Sequence, residues 1–386
     1  MYYLKGLVLM LCMLSILWSQ NHAQYEEKFI WDSERMILTS DFSSVKVPRL
    51  TDFKTHVFHF DPIRQDTAGT CWAFASSSFL ESEIYRMHKK KIKLSELYTV
   101  YWEYIEKARR FIRERGDSEF GQGSEANATL LRIKTYGCVP ASAYDGLVNG
   151  RKKHNHDAMF EEMKNYLSYL KKNEYWNEDI ALKHIQAILD EYLGRPPQNF
   201  DYKGKTYTPQ TFRDEVCQIK PKDFVSFMST LKTPFYEKGA FDVPDNWWHS
   251  DAYHNVPLDV FNKAIKQAIK NGYSVSIGGD VSEPGKYGWK DFAIVVPWDL
   301  PQEAINQDAR ELRFYNKTTT DDHGVHLVGY TRKFGHDWFL IKDSGSSSFY
   351  GQYPGYYFFR DDFIQLKMLT FMVHKDAVQD IMADFN

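Results

Sequence analysis

Gln65 Asp66 Thr67 Ala68 Gly69 Thr70 Cys71 Trp72 Ala73 Phe74 Ala75 Ser76 is the stretch on which the reading of this chain turns. From Trp72 onward the apolar residues Trp72, Phe79, Leu80, Ile84 and Met87 fall on one face, which predicts a helix with Cys71 in its first turn. A thiol placed there feels the positive end of the helix dipole, and that favours the thiolate. The backbone N–H of Cys71 and the side-chain amide of Gln65, six residues upstream, are a pair of donors suited to an oxyanion. The plainer alternative is that Cys71 is a small buried hydrophobe on an amphipathic helix, as most free cysteines are. A glutamine at that offset, a helix start and a tryptophan directly after the thiol coincide here, and together they favour the chemical reading.

Cysteine usage points the same way. Residues 1–23 read as a secretory signal peptide: Lys5 precedes an apolar run from Leu7 to Trp18, and Ala23 offers a cleavage point. That run is shorter than the roughly 20 residues a membrane span needs, so the mature chain is expected to be secreted or periplasmic without a membrane anchor. Its removal leaves Cys71, Cys138 and Cys217, an odd number, so at least one thiol is free. The 386 residues are 43% hydrophobic, enough for one large domain or two lobes. A formal net charge of −3 shows no excess of either sign that would indicate nucleic acid or an anionic membrane as the main partner.

Along the chain the texture changes once. A polar lead to about residue 64 is followed by the Cys71 helix, a second helix capped by Ser95 and a third from Ser124 to Tyr136 that stops at Gly137. Residues 151–250 continue as a broken helical stretch, with one segment through Met159, Phe160, Met163, Leu167 and Leu170. A second runs through Ile180, Ile185, Ile188, Leu189 and Leu193. Thr208 and Pro209 open a short helix with Thr as cap and Pro in the first turn. Residues 257–271 form a helix closed by Gly272, after which short β-rich runs separated by turns dominate. The expected class is α+β in two lobes: a helical lobe over about 58–150, a helical insertion over about 151–250 and a β-rich lobe over about 273–376.

A nucleophile needs a base, and two histidines stand in Asp321 Asp322 His323 Gly324 Val325 His326 Leu327 Val328 Gly329 Tyr330. Strand parity puts them on opposite faces, so at most one faces Cys71, and parity alone does not say which. The Cys71 segment resembles the nucleophile segment of papain-like cysteine peptidases, and this one resembles their histidine strand. The resemblance implies a papain-like two-lobe fold with Cys71 as nucleophile, Gln65 at the oxyanion and His323, six residues before Gly329, as base. Trp338 Phe339 Leu340 Ile341 Lys342 Asp343 Ser344 Gly345 resembles the strand that carries the family's orienting Asn. Here Asp343 takes the Asn position and the tryptophan that follows in the family is missing. Ala68 stands where the family has a second cysteine. An Asp still accepts the second imidazole N–H, as in serine triads, and raises the imidazole pKa by opposite-charge attraction.

Papain-type enzymes place the base about 130–150 residues after the nucleophile, whereas His323 follows Cys71 by 252, the difference between their positions (323 − 71). The spacing, together with Leu94 Ser95 Glu96 Leu97 Tyr98 and Gly121 Gln122 Gly123, resembles the bleomycin hydrolase and aminopeptidase C branch. That resemblance implies peptide-bond hydrolysis by an aminopeptidase, without cofactor, and a homo-oligomer of hexamer type. The chain stops at Asn386 soon after its last strand, so the branch's cleft-limiting C-terminal arm is expected to be short or absent. Two other readings stay open: an exported binding protein, catalytically silent, on the same scaffold, and a cysteine amide hydrolase with endopeptidase or non-peptide specificity. No metal site is expected, because His154, His156 and Asp157 lack the spacing of a metal motif.

Overall fold

The computed structural model describes residues 23–30 and 33–385. The expected signal peptide, residues 1–23, lies outside the described residues apart from Ala23. A hairpin of β1 (Ala23–Ile30) and β2 (Ser33–Ser40) leads in. The chain then runs extended to β3 (Thr55–His56), which adds to the main sheet, and reaches the nucleophile segment.

Five helices build the first lobe: α1 (Cys71–His88), α2 (Glu96–Arg113), α3 (Ala126–Tyr136), α4 (Asp157–Lys172) and α5 (Glu178–Leu193). Ser95 caps α2 by accepting the Tyr98 N–H at 3.1 Å, and Asn177 caps α5 by accepting that of Ile180 at 3.1 Å. Gly137 ends α3 at φ +78°, a conformation that costs glycine nothing and other residues about 1 kcal/mol. α3 begins two residues later than the spacing predicts. The hydroxyl of Ser124 donates to Glu103 at 2.6 Å instead of capping the helix.

The second lobe is a long mixed sheet. Its strands are β4 (Phe224–Met228), β5 (Tyr253–Asn255), β6 (Val275–Gly279), β7 (Phe292–Ala293), β8 (His323–Lys333), β9 (His336–Lys342), β10 (Tyr356–Arg360) and β11 (Met368–His374). Their order is Lys286–Tyr287, β7, β10, β9, β8, β6, β11, β4, β5 and Lys238–Gly239, with β3 also pairing on β8. Helices α6 (Leu258–Lys270), α7 (Gln307–Tyr315) and α8 (Asp361–Lys367) complete the lobe. One apolar core lies among the helices and another around the sheet, so the class is α+β, as expected.

Four expectations need correction. α1 is not amphipathic with one free face: every residue from Trp72 to Ile84 is buried, because the helix is sandwiched between the two lobes. Its polar residues meet the sheet. Ser78 Oγ lies 2.9 Å from His326 Nδ1 and accepts from Lys342 Nζ at 2.9 Å, while Glu83 accepts the Ser274 N–H at 3.3 Å. The stretch after Pro197 is only partly helical: the short helix expected at Thr208 and Pro209 is there, with Thr208 Oγ1 accepting the Thr211 N–H at 3.1 Å, but a small hairpin, Phe200–Tyr202 with Lys205–Tyr207, precedes it and β4, which lies between β11 and β5 in the main sheet, follows. A five-residue apolar run such as Phe224–Met228 carries neither helical nor alternating periodicity, which is why its type was not legible. Ile180 points to solvent at 65% exposure, and α5 buries Ala181 and Leu182 in its place. Leu366 closes the short helix α8 instead of opening the last strand.

Candidate active site

The segment before α1 is held rigid from both lobes. Gly69 N–H donates to Gln122 Oε1 at 2.7 Å and Trp72 Nε1 donates to the Gln122 carbonyl at 3.2 Å. The Gly121–Gly123 turn is in turn anchored by Lys107, which is fully buried and donates to the carbonyls of Gly121, at 2.9 Å, and Gly123. A Cβ on Gly123 would collide with the Asp245 carboxylate, so the close approach requires glycine there. Cys71 sits half-buried at the first position of α1, where its N–H is one of the four a helix leaves without an internal acceptor.

His323 begins β8, the strand that packs along α1. Its Nε2 lies 2.7 Å from Asp343 Oδ1, and the ring also hydrogen bonds the Cys71 side chain. With Nε2 committed to the carboxylate, Nδ1 is the nitrogen left for the sulfur. Burial alone would lower the imidazole pKa, but the charges of Asp343 and Cys71 outweigh it and raise the pKa to about 10. His326 also faces α1, but at Ser78, seven residues or about 10 Å further along the helix than Cys71. Strand parity therefore does not separate the two histidines; their positions along α1 do. Burial pushes the His326 pKa well down, so it is neutral.

Asp343, at the end of β9, is buried and takes two hydrogen bonds on Oδ1, from His323 and from the Gly345 N–H at 2.8 Å. Burial would raise its pKa, but the His323 imidazolium and then the Lys286 ammonium hold it below the usual carboxylate range. Lys286 Nζ lies 3.7 Å from Asp343 Oδ2, with its side chain only 8% exposed, and it sits 4.6 Å from the Tyr357 ring centre. Sequence reasoning missed Lys286. It lies on a two-residue strand with no motif around it, and only the pairing of distant strands brings it to Asp343. Gly345 occupies the place of the missing tryptophan, and a Cβ there would lie 3.4 Å from the His323 ring.

Gln65 Nε2 donates to the Ala68 carbonyl at 2.7 Å, and Gln65 Oε1 accepts from Ser344 Oγ at 2.7 Å. Its amide keeps a second N–H, and the loop is tied to the residue beside Asp343. The structure thus brings Cys71, His323 and Asp343 into one hydrogen-bonded constellation and moors Gln65 to its edge. His154 and His156 stack edge to face at 6.1 Å, and burial lowers the pKa of His156 to about 3. Among the described residues, no group of three or more His, Cys, Asp or Glu is placed to hold a metal ion.

Comparison with known proteins agrees with this geometry. The Peptidase C1-like family matches residues 33–118 and 121–384. Aminopeptidase C of Listeria monocytogenes is 25% identical over 257 residues, covering 57% of this chain and 58% of that protein. Aminopeptidase E of Lactobacillus helveticus is 22% identical over 373 residues, covering 85% and 84% respectively. The matches to the aminopeptidases C of the two Listeria species span 58% and 61% of those relatives' length. The crystal structure of PepW from Lactobacillus rhamnosis shares the fold, with a TM-score of 0.68 at 20% identity over 86% of this chain and 84% of that one. With a thiol on a helix tip, an imidazole on a facing strand and a family match over nearly all the described residues, the chain belongs to the Peptidase C1-like family, on the bleomycin hydrolase and aminopeptidase C branch of the papain-like cysteine peptidases.

Proposed function

We propose that the protein is an exported aminopeptidase that hydrolyses peptide bonds by acyl transfer through Cys71. The observation that carries this reading is the commitment of His323 Nε2 to Asp343 while the same ring bonds the Cys71 side chain. An imidazolium that persists to about pH 10 keeps a thiolate partnered across the physiological range. The thiolate attacks the scissile carbonyl, the Cys71 N–H and the Gln65 amide receive the oxyanion, and His323 protonates the leaving amine. Water then cleaves the thioester with His323 as base. The relatives' names, aminopeptidase C and aminopeptidase E, support exopeptidase action. Export rests on residues 1–23 alone.

Labelling by a thiol-directed epoxide, lost in Cys71→Ser, separates an enzyme from a silent scaffold. A mass map of the products of one unstructured peptide then tells stepwise N-terminal loss from internal cuts. N-terminal sequencing of the mature protein from the culture medium or periplasm tests export; an intact residue 1 on a cell-retained chain would reject it.

A further inference from the structure

Three stretches of chain, distant in sequence, bring carboxyl groups to one cavity beside the nucleophile. Its walls include Cys71, Trp72 and His323, and with them Glu125 at the start of α3, Asp245 in the loop ahead of β5, and Asp321 just before β8. The cavity volume is about 30 Å³, room for one or two water-sized groups. An ammonium group fits; a bulky side chain does not. Glu125 is 4% exposed, and its Oε1 has no hydrogen-bond partner among the described residues. The Glu125 and Asp321 carboxyls hydrogen bond each other, the Tyr253 phenol hydrogen bonds the Glu125 carboxyl as well, and Asp245 and Cys71 also bear on the pair. All of these are acids. Lys107, the cation nearest in effect to Asp245, is engaged by the carbonyls of Gly121 and Gly123. Burial, chiefly, pushes the Glu125 carboxyl up to about 7 and that of Asp321 upward, which is how such a pair behaves without a counter-charge.

We propose that this cavity takes the free α-ammonium group of a peptide's first residue, held between Glu125 and Asp321. The proposal rests on the peptidase reading above and deepens it, because it names what makes the cleft select N-termini. In an N-terminal residue the ammonium nitrogen is two bonds from the carbonyl carbon under attack, and the cavity shares a wall with the attacking thiol. A blocked N-terminus brings neither the charge nor the slimness the cavity asks for. An ammonium between the two carboxylates also satisfies the orphaned Glu125 oxygen, and buried carboxylates are stable when so paired.

A lysine side chain carries the same ammonium, so the test uses three substrates: leucyl aminocoumarin, its N-acetyl form and N-acetyl-lysyl aminocoumarin. The wild type is expected to prefer the free amine to its acetylated form by about a hundredfold in kcat/KM, two charge-assisted hydrogen bonds' worth. Glu125→Gln and Asp321→Asn should each cut that ratio about tenfold or more, chiefly through KM. A ratio unchanged in both variants overturns the proposal, and so does preference for N-acetyl-lysyl aminocoumarin, which would give the cavity to a side chain. Binding keeps the test independent of turnover. In Cys71→Ala, leucinamide should bind at least tenfold more tightly than N-acetylleucinamide, and Glu125→Gln should abolish the difference; equal binding of the two amides rejects the proposal. Failure of epoxide labelling at Cys71 would instead count against the peptidase reading, whatever the amides do.

Discussion

Asp343 puts a full negative charge where the family's pattern has a neutral amide, and the structure answers that charge twice, with His323 on Oδ1 and Lys286 facing Oδ2. The consequence for pH has a definite sign. The folded imidazole has its pKa raised to about 10, so the imidazolium is present at neutral pH and is lost only as pH climbs through that value. Removing the Asp343 charge takes away the largest of the forces that raise it. In Asp343→Asn the alkaline limb of kcat/KM is expected to fall by a unit or more towards the ordinary histidine range. A pH–rate profile decides it, and an unchanged or higher limb would remove Asp343 from the role. Lys286→Met should act the other way, because it leaves the Asp343 charge to the imidazolium alone and so moves the limb up. Asp343→Asn strands the buried Lys286 ammonium, at a cost of about 3–5 kcal/mol, whereas Lys286→Met leaves Asp343 paired with His323 and costs less. The double variant Asp343→Asn with Lys286→Met strands neither, and is expected to recover most of that loss in urea denaturation; strictly additive losses would mean the two groups do not act as a pair.

The helical elements were largely readable because their apolar residues repeat at the helical period and some ends carry good signals, as at Ser95 and Gly137. Strand β4 and helix α8 were not, since each is too short for a period to show and its type is set by its neighbours. Packing of these elements also resolves the odd cysteine count. Cys138, just after α3, and Cys217, ahead of β4, are both buried with their sulfurs 3.7 Å apart, which leaves Cys71 as the thiol without a neighbouring one among the described residues. With oxidised glutathione as oxidant, Cys138 and Cys217 are expected to join. The bond would close a loop of 79 residues and stabilise the fold by about 4 kcal/mol. Peptide mapping should find that linked pair and an alkylatable Cys71; no linked peptide, or a lower urea midpoint after oxidation, would contradict the expectation.

The two lobes meet along α1, and the contact is polar as well as apolar: Lys342, Ser78 and His326 form a buried chain of hydrogen bonds across it. Burial holds the His326 pKa far below its unfolded value near 6.5, so below that pH the unfolded chain binds a proton the folded chain refuses. Stability from this group is therefore full above about pH 6.5 and falls by about 1.4 kcal/mol per unit as the solution is acidified. Glu125 acts in the opposite sense, because its raised pKa lets the folded state take up a proton first. The comparison must therefore be between wild type and His326→Gln at each pH. The wild type's advantage is expected to shrink between pH 6.5 and 4.5, and a constant difference would show that His326 is not buried neutral.

The chain's own order of residues was enough to point to thiol chemistry at Cys71, since a glutamine, a helix start and a tryptophan coincide around it, while His323 and Asp343 entered as its expected partners through the resemblance to the papain-like peptidases. It was also enough for the helices of the first lobe. Which histidine meets the thiol, that a lysine neutralises Asp343, and that three acids converge beside Cys71 were decided only by the folded molecule. These are distances between segments far apart in the chain. They are set by how α1 lies along β8 and how the sheet orders its strands, and no periodicity in one segment encodes its partner in another.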